Sequence, residues 1–140
     1  MRDSESRLIN KHIKPTAMRE LVLKMFSAQT NALSLTDIES LFDKVDKVTL
    51  YRTLKTFEKN KLIHAIDDGT GSVKYSLCRE TCNCDPEDLH VHFLCIKCKH
   101  TFCLTDISIP FISLPVNFKL KTINMVVKGV CSNCKNNFAT

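Results

Sequence analysis

The sequence predicts an α+β protein whose two parts have different chemistry. Residues 1–77 contain no cysteine and show helical hydrophobic patterns followed by a hairpin pattern. All eight cysteines lie in residues 78–140 and include two Cys-x2-Cys pairs. Helices before a hairpin are typical of a winged helix-turn-helix, and paired cysteines are typical of a small metal-stabilised domain. We therefore divide the chain into a winged-helix domain (1–77), a connecting segment with an inserted cysteine-containing loop (78–89) and a zinc-stabilised domain (90–140).

Length and composition limit the class of protein. The chain has 140 residues, of which 44% are hydrophobic and 25% are charged, as in ordinary folded domains. No apolar run approaches the roughly 18 residues of a membrane span, and the N-terminus lacks the apolar core of a signal peptide. We therefore expect a cytoplasmic protein without a membrane partner. Stable disulfides are rare in the cytosol, so the clustered cysteines indicate metal binding.

Hydrophobic spacing predicts helices along the first part of the chain. Residues 5–13 form a short amphipathic pattern that stops before Pro15, because the residue before a proline avoids helical geometry. Thr16 is the expected N-cap of a second helix, and Ser34 with Asp37 predicts a capping box at the start of a third. Each of these starts has a side chain that can satisfy a free backbone N–H group.

A fourth helix is predicted from about Lys47 to Asn60. Its inward face repeats at helical spacing and carries Leu50, Leu54 and Phe57. The opposite face carries Thr49, Arg52, Thr53, Thr56 and Lys59. Residues 44–61 hold six basic and two acidic side chains, a net charge of +4 that suits a polyanion. The same charges also suit a plain solvated helix face, so the neighbouring elements decide between the two.

After the fourth helix, the hydrophobic period changes from that of a helix to that of a strand. Residues 62–66 and 73–77 alternate, and a turn rich in aspartate and glycine separates them. In a winged helix-turn-helix the last helix before the hairpin enters the major groove of DNA. Arg52 would then reach guanine or phosphate, with Tyr51 at the margin of the contact. Winged helices also bind proteins, and the fold alone leaves that alternative open.

Two cysteine pairs form the most specific motif in the chain, Cys95-x2-Cys98 and Cys131-x2-Cys134. Four thiolates without an open position are typical of a structural tetrahedral zinc site. Such an ion replaces a large core that residues 78–140 are too few to build. Free buried cysteines and a dithiol redox pair are the alternatives.

Other soft ligands lie near the first cysteine pair. His90 and His92 are two residues apart, so on a strand they share one face. Alone, such a pair is more often packed or at the surface than bound to metal. Four cysteines remain outside the two pairs, namely Cys78, Cys82, Cys84 and Cys103. A second metal site is the most economical interpretation of these residues.

Four motifs lie along the chain, Lys14-Pro15-Thr16-Ala17-Met18-Arg19, Val48-Thr49-Leu50-Tyr51-Arg52-Thr53-Leu54, His90-x-His92-x-x-Cys95-x-x-Cys98 and Gly129-Val130-Cys131-x-x-Cys134. Together they resemble the ferric uptake regulator family of metal-dependent bacterial repressors. The resemblance implies a winged-helix domain joined by a hinge to a C-terminal α/β dimerisation domain, and a homodimer on double-stranded operator DNA. It implies operator contacts from Tyr51 and Arg52 and a minor-groove contact from Lys14. The full set of predicted DNA-binding residues is Lys14, Arg19, Thr49, Tyr51, Arg52 and Lys55.

The resemblance also implies a regulatory metal site between the two domains. The residues that match the family's ligand positions are Cys78, His90, His92 and Cys103, with His64 as a replacement for one histidine. Two thiolates with imidazoles favour Zn²⁺ over Fe²⁺ or Mn²⁺, and Fe²⁺ is the alternative. The alternative for His64 is a packed residue of the wing.

Some residues depart from the family pattern. Many iron regulators have a third metal site, and we expect it to be absent here. The matching positions are occupied by residues that cannot serve as its ligands, namely Leu89, Val91, Pro110 and Ile123. Prolines interrupt residues 107–115, where the family has a long dimerisation helix, so we expect the dimer interface on strands around Phe118–Val127. Cys82 and Cys84 have three open roles: completing the regulatory site, binding another ion, or forming a thiol switch.

The sequence therefore predicts a metal-responsive, zinc-sensing transcriptional repressor of metal-uptake genes. The alternatives are an iron-responsive or peroxide-sensing repressor of the same family and a thiol redox switch. We do not expect an enzyme. The His-x-His pair lacks the intervening Glu of a deaminase, and the chain has no His-Glu-x-x-His motif.

Overall fold

The structure is a computed structural model that describes residues 2–77 and 90–134. Cys78, Cys82, Cys84 and Leu89 lie outside these residues, as does the predicted connecting segment. The elements in chain order are α1 (Arg2–Asn10), α2 (Ala17–Ala28), β1 (Leu33–Ser34), α3 (Leu35–Ser40), α4 (Lys47–Lys59), β2 (Ile63–Ile66), β3 (Lys74–Leu77), β4 (His90–Cys95), β5 (Thr101–Ser108) and β6 (Val126–Gly129). Among the described residues, no helix is long and apolar enough to cross a membrane.

The helix starts predicted at Thr16 and Ser34 are confirmed. Thr16 Oγ1 accepts a hydrogen bond from the backbone N–H of Arg19 (3.2 Å). Ser34 and Asp37 form a reciprocal capping box, in which each side chain accepts from the backbone N–H of the other residue. These bonds satisfy N–H groups that have no partner inside α2 or α3.

Helix α1 begins and ends earlier than the predicted range of 5–13. It ends at Asn10 because His12 adopts a left-handed φ of 60° and the N–H of Ile13 bonds to the carbonyl of Leu8 (2.9 Å). This reversal leaves Ile13 buried. The apolar spacing therefore continues past the end of the helix.

Helix α4 agrees with its predicted range. Asp46 is the N-cap and accepts from the backbone N–H of Val48 (3.3 Å). The prediction was wrong for Thr53, which we expected on the exposed face and which is buried. Its hydroxyl donates to the carbonyl of Thr49 (3.0 Å), so burial leaves no hydroxyl proton without an acceptor. The three residues predicted to face inward are fully buried: Leu50, Leu54 and Phe57.

The predicted hairpin is the antiparallel pair of β2 and β3. A short strand that the sequence did not predict, β1, pairs with the other edge of β3 and gives the strand order β1-β3-β2. Two residues are too few to show an alternating pattern, which explains why β1 was missed. One hydrophobic core lies between this sheet and the helices, and it contains Leu8, Ile13, Val22, Leu23, Phe26, Leu33, Ile38, Leu50, Leu54, Phe57, Leu62, Ile63 and Tyr75.

A second sheet occupies the described C-terminal residues, with strand order β5-β4-β6. β5 is antiparallel to β4, and β6 is parallel to it. Residues 109–125 contain neither helix nor strand, in agreement with the prolines of this segment. The strands expected around Phe118–Val127 are mostly absent, since β6 begins only at Val126. Among the side chains of residues 90–134 that the structure describes, the buried ones are Val91, His92, Leu94, Cys95 and Thr101, a small core for a folded sheet.

The turn between β2 and β3, which we call the wing turn (residues 67–72), contains a buried carboxylate. Asp68 accepts from Lys74 Nζ (2.7 Å) in an ion pair whose carboxylate side is fully buried. Burial raises the pKa of Asp68, but hydrogen bonds from Lys74, Thr101 and Thr70 outweigh it and hold the pKa well below the usual range. The ionised form of Asp68 therefore stabilises the folded state.

Replacement of Asp68 tests this stabilisation. We expect Asp68→Ala to lower the free energy of unfolding by about 3 kcal/mol at pH 7, because Lys74 is left without its partner. The difference in free energy of unfolding between the wild type and Asp68→Ala should be constant above about pH 5. It should shrink as the pH falls below about 4, the pKa of the carboxyl group in the unfolded chain, toward the lowered pKa of the folded state. Urea unfolding at several pH values measures it.

The neighbouring Asp67→Ala variant is the matched control, because Asp67 is exposed in the same turn. Asp67 Oδ1 accepts from the N–H of Gly69 (3.1 Å) at the surface, so the free energy of unfolding of this variant should stay within about 1 kcal/mol of the wild type. Equal losses in the two variants, or a loss at Asp68 that does not depend on pH, would contradict the role given to the buried carboxylate.

Candidate metal centres

The sulfur atoms of Cys95, Cys98, Cys131 and Cys134 lie within 4.8 Å of one another. Cys95 ends β4, and a turn brings Cys98 back beside it. Cys131 and Cys134 lie in the turn after β6, which the parallel pairing with β4 brings to the same end of the sheet. The sheet topology therefore assembles two cysteine pairs that are far apart in sequence.

The geometry of this four-cysteine cluster fits a tetrahedral zinc ion. With Zn–S bonds of about 2.3 Å, neighbouring sulfurs of a tetrahedral site are about 3.8 Å apart. The observed distance from Cys98 Sγ to Cys131 Sγ is 3.8 Å. The cluster is thus consistent with a structural zinc site.

Backbone groups around the four-cysteine cluster favour ionised sulfur. Sγ of the buried Cys95 accepts from the N–H groups of Cys98 and Cys131, each at 3.4 Å. Burial raises the pKa of Cys95, but these backbone bonds outweigh it and lower the pKa to about 6. The pKa of Cys134 is raised to about 12 by burial and by its neighbouring thiols. Metal binding at this cluster therefore displaces protons from the thiols and weakens as the pH falls.

A second cluster joins the two parts of the chain. His64 lies in β2, while His92 and Cys103 face each other as a register pair of β4 and β5. The Nε2 atoms of His64 and His92 are 3.4 Å apart, and Cys103 Sγ is 3.5 Å from His64 Nε2. In a tetrahedral zinc site with imidazole and thiolate ligands these distances are about 3.3–3.6 Å. The residues present therefore fit a zinc ion.

The exposed face of α4 carries most of the predicted DNA-binding residues. Tyr51 is 47% exposed, and Arg52 and Lys55 are exposed beside it. Lys55 Nζ lies 5.4 Å from the centre of the Tyr51 ring and forms a surface ion pair with Glu58 (3.3 Å). The glutamate raises the pKa of Lys55, which keeps this side chain charged.

The remaining predicted DNA-binding residues make contacts within the protein. Thr49 Oγ1 donates to the N-cap Asp46 (2.8 Å), and this bond lowers the pKa of Asp46. Arg19 Nη1 donates to the carbonyl of Lys14 (2.8 Å), so Arg19 fixes the backbone from which the exposed Lys14 side chain projects. Sequence reasoning missed Asp46, although an aspartate directly before a helical pattern is an N-cap signal.

The sequence profile of the Ferric uptake regulator family matches residues 10–128. The chain belongs to the ferric uptake regulator family. It is therefore a metal-responsive, DNA-binding transcription regulator and not an enzyme. No curated protein sequence is significantly similar to it.

Solved structures share the fold at low sequence identity. A zinc uptake regulator complexed with zinc and DNA has a TM-score of 0.68 at 18% identity, covering 97% of this chain and 93% of that chain. The ferric uptake regulator of Vibrio cholerae has a TM-score of 0.59 at 17% identity, covering 91% and 98%. The ferric uptake regulator of Francisella tularensis, solved with iron, has a TM-score of 0.59 at 21% identity, covering 88% and 95%.

The ligand set predicted for the regulatory site of this family member is only partly within the described structure. Potential ligand atoms of His64, His92 and Cys103 come together. His64 is the histidine for which a packed position in the wing was the alternative. Cys78 lies outside the described residues, and so does the side chain of His90. Cys82 and Cys84 also lie outside, and their roles stay open. The absence of a third metal site stays a prediction.

Replacement of one cysteine tests the four-cysteine cluster. We expect Cys131→Ser to lose one tightly held zinc ion per chain and to lower the melting temperature by more than about 10 °C, because the C-terminal sheet has so small a core. Mass spectrometry of the native protein and circular dichroism measure the two effects.

Cys103→Ser serves as the matched control, since it removes a thiol from the same sheet but outside the four-cysteine cluster. After mild chelation has emptied the second cluster in both proteins, this variant should keep the zinc ion of the four-cysteine cluster and nearly the wild-type melting temperature. If Cys131→Ser retains as much zinc as Cys103→Ser after mild chelation, the four-cysteine cluster is not the structural site.

Proposed function

We propose that this protein is a zinc-responsive repressor that binds operator DNA of metal-uptake genes as a homodimer when its second metal site is filled. The observation that carries the proposal is the cluster of His64, His92 and Cys103. These ligands come from both parts of the chain, so an ion bound there ties the wing to the C-terminal sheet. Cys78 and His90 remain proposed members of the same site.

The donor set supports zinc as the sensed ion. Within the described cluster the donors are two imidazoles and one thiol, and no carboxylate lies among them. Thiolate and imidazole ligands suit Zn²⁺, while Mn²⁺ and Fe²⁺ more readily accept carboxylates. Both histidines are at most partly exposed, which limits competition from water. A site of this chemistry favours zinc over iron.

The cluster explains how metal binding changes DNA affinity. A bound ion supplies a cross-link between side chains of the two parts. His64 then holds the wing, and with it helix α4, in one orientation relative to His92 and Cys103. Without metal, DNA binding must fix this orientation and loses conformational entropy. With metal bound, that entropy has already been lost, so DNA binds more tightly. The coupling is reciprocal, and DNA raises metal affinity by the same factor.

Helix α4 is the proposed reading element. Its exposed Arg52 suits a bidentate contact with guanine, and Tyr51 presents an apolar ring edge for a thymine methyl group. Lys55 and Lys14 add charge for phosphates, which position the helix without specifying sequence. Thr49 and Arg19 remain proposed DNA contacts, and their bonds within the protein also help to hold the start of the helix and the Lys14 backbone in place.

The C-terminal part offers an apolar surface for a second copy of the chain. Phe111 is 92% exposed and Phe118 is 67% exposed, in a segment without regular structure. Neighbouring apolar side chains are also exposed: Ile107, Ile112, Leu114, Val116 and Leu120. Monomeric proteins rarely expose an apolar patch of this kind. A dimer built on this surface would present two copies of α4 to operator half-sites about one helical turn apart.

A thiol redox switch is the second candidate, and one observation favours it. Cys103 Sγ lies 3.5 Å from an imidazole nitrogen of His64. Neighbouring histidines promote thiolate formation and thus oxidation. Reversible loss of DNA binding on mild peroxide treatment, with the metal still saturating, would favour the switch over zinc sensing.

The metal-dependent DNA affinity tests the proposed function directly. An operator is first selected from random DNA with the wild-type protein and zinc, and affinities are then measured by fluorescence anisotropy at fixed salt. We expect zinc to raise the wild-type affinity at least about tenfold, and Cys103→Ser to lose this increase, because a coupling of this kind is typically 5–150-fold, that is about 1–3 kcal/mol.

His100→Ala is the matched control, because it removes an exposed histidine next to β5 that lies outside the cluster. It should retain the zinc response. A full zinc response in Cys103→Ser would refute the assignment of the site, and a response to Fe²⁺ alone in the wild type would refute zinc as the sensed ion.

Disruption of the apolar surface tests the homodimer. We expect Phe111→Asp to shift the sedimentation coefficient from dimer to monomer at micromolar concentration, because a buried unpaired charge opposes association. Ile9→Asp is the control, since Ile9 is an apolar residue of α1 that is 53% exposed. A dimer in both variants would place the interface elsewhere.

A further inference from the structure

A second contact joins the wing to the C-terminal sheet, and it contains no metal ligand. Asp68 of the wing turn accepts from Thr101 Oγ1 at 2.6 Å, across 33 positions of sequence. The carboxylate also accepts from within the wing, from Lys74 Nζ (2.7 Å) and from both the N–H (3.0 Å) and the hydroxyl of Thr70. Asp68 and Thr101 are 1% and 0% exposed. The contact is therefore buried at the junction of the two parts.

Thr101 is held from a second side. Its carbonyl accepts from the backbone N–H of Ala32, just before β1, at 2.7 Å. A further bond between the wing turn and the C-terminal part runs from Asn124 Nδ2 to the carbonyl of Asp67, at 3.0 Å. The first residue of β5 thus contacts both the wing turn and the segment that leads into β1.

This contact lies next to the second metal cluster. Thr101 and Cys103 are two residues apart on β5, so their side chains lie on the same face of the strand. On the wing side, His64 and Asp68 lie in β2 and in the turn that follows it. The Asp68–Thr101 bond therefore fixes the same two elements that bring His64 to Cys103.

We propose that the Asp68–Thr101 hydrogen bond is a metal-independent latch that holds His64 opposite His92 and Cys103 and so sets the affinity of that site for its ion. Thr101 is then a positioning residue for metal binding. The part of this inference that concerns metal affinity rests on the proposed function. The latch itself does not, because a carboxylate and a hydroxyl bond without any ion.

The charge of Asp68 and the burial of the contact both strengthen the Asp68–Thr101 bond. Hydrogen bonds to an ionised carboxylate are stronger than those between neutral groups, and burial removes the competition from water. Loss of the Thr101 hydroxyl leaves one acceptor site of Asp68 buried without its donor. Closure of the two parts then becomes less favourable. Part of the binding free energy of the ion must be used to close them, so the ion binds more weakly.

Three variants separate the latch from simple destabilisation. Thr101→Val keeps the shape of the side chain and removes the hydroxyl. Thr101→Ser keeps the hydroxyl and should rescue wild-type behaviour. Thr70→Val is the matched control, because the Thr70 hydroxyl also donates to the Asp68 carboxylate but from within the wing.

Hydrogen exchange measures how often the junction opens when the second site contains no metal. The four-cysteine cluster is kept loaded with zinc, and the Ala32 amide reports on opening because it bonds across the junction. We expect Thr101→Val to speed exchange of this amide about tenfold, while Thr101→Ser and Thr70→Val match the wild type. Thr101→Ala, which lacks the hydroxyl and the added methyl group, must agree if the valine variant folds poorly.

The zinc affinity of the second site measures whether Thr101 positions His64 for metal binding. In chelator competition we expect Thr101→Val to bind zinc about tenfold more weakly than the wild type, with Thr70→Val within about twofold. Equal Ala32 exchange in Thr101→Val and Thr70→Val overturns the latch. Faster exchange with unchanged zinc affinity overturns the positioning role. If the wild type binds no zinc at this site, the proposed function falls, and the exchange result still decides the latch.

Discussion

The four-cysteine cluster is the constraint on which the C-terminal part depends. It joins the end of β4 to the turn after β6, and these strands are parallel neighbours separated in sequence by β5 and by a long segment without regular structure. The apolar core of this sheet is too small to fix that arrangement by burial alone. Once the sheet is fixed, the antiparallel register places His92 opposite Cys103 and directs Thr101 toward the wing. The second metal cluster and the Asp68–Thr101 contact therefore both depend on this one cross-link.

Sequence reasoning predicted what is determined locally. The starts of α2 and α3 follow from hydroxyl and carboxylate side chains a few residues from the N–H groups that they satisfy. The buried face of α4 follows from helical spacing, and the two Cys-x2-Cys pairs identified the four-cysteine cluster because each turn can present two sulfurs to one ion. Within each helix start, helix face and cysteine pair, the decisive residues lie within about two turns of each other, so neighbouring positions in the chain carry the information. The meeting of the two cysteine pairs depends instead on the pairing of β4 with β6.

The features that sequence reasoning missed depend on contacts between distant segments. β1 exists because the edge of β3, a strand far along the chain, is available to pair with its two residues. His64 looked equally like a packed wing residue and a ligand, since only the closure of the two parts brings it to Cys103. Asp68 looked like an ordinary turn aspartate. Its burial comes from a threonine that lies 33 positions further along the chain.

A metal switch also limits how strong any metal-independent contact between the two parts can be. An ion shifts an equilibrium only by its differential affinity for the two states, so a latch that already held every molecule closed would leave the ion nothing to change. A single hydrogen bond to a carboxylate contributes about 1.5–3 kcal/mol, less than the roughly 5.5 kcal/mol that separates a closed fraction of 1% from one of 99%. The Asp68–Thr101 bond by itself therefore does not hold every molecule closed, which leaves part of the closure to the ion. A junction with a large apolar interface would bind metal more tightly and would respond to it less.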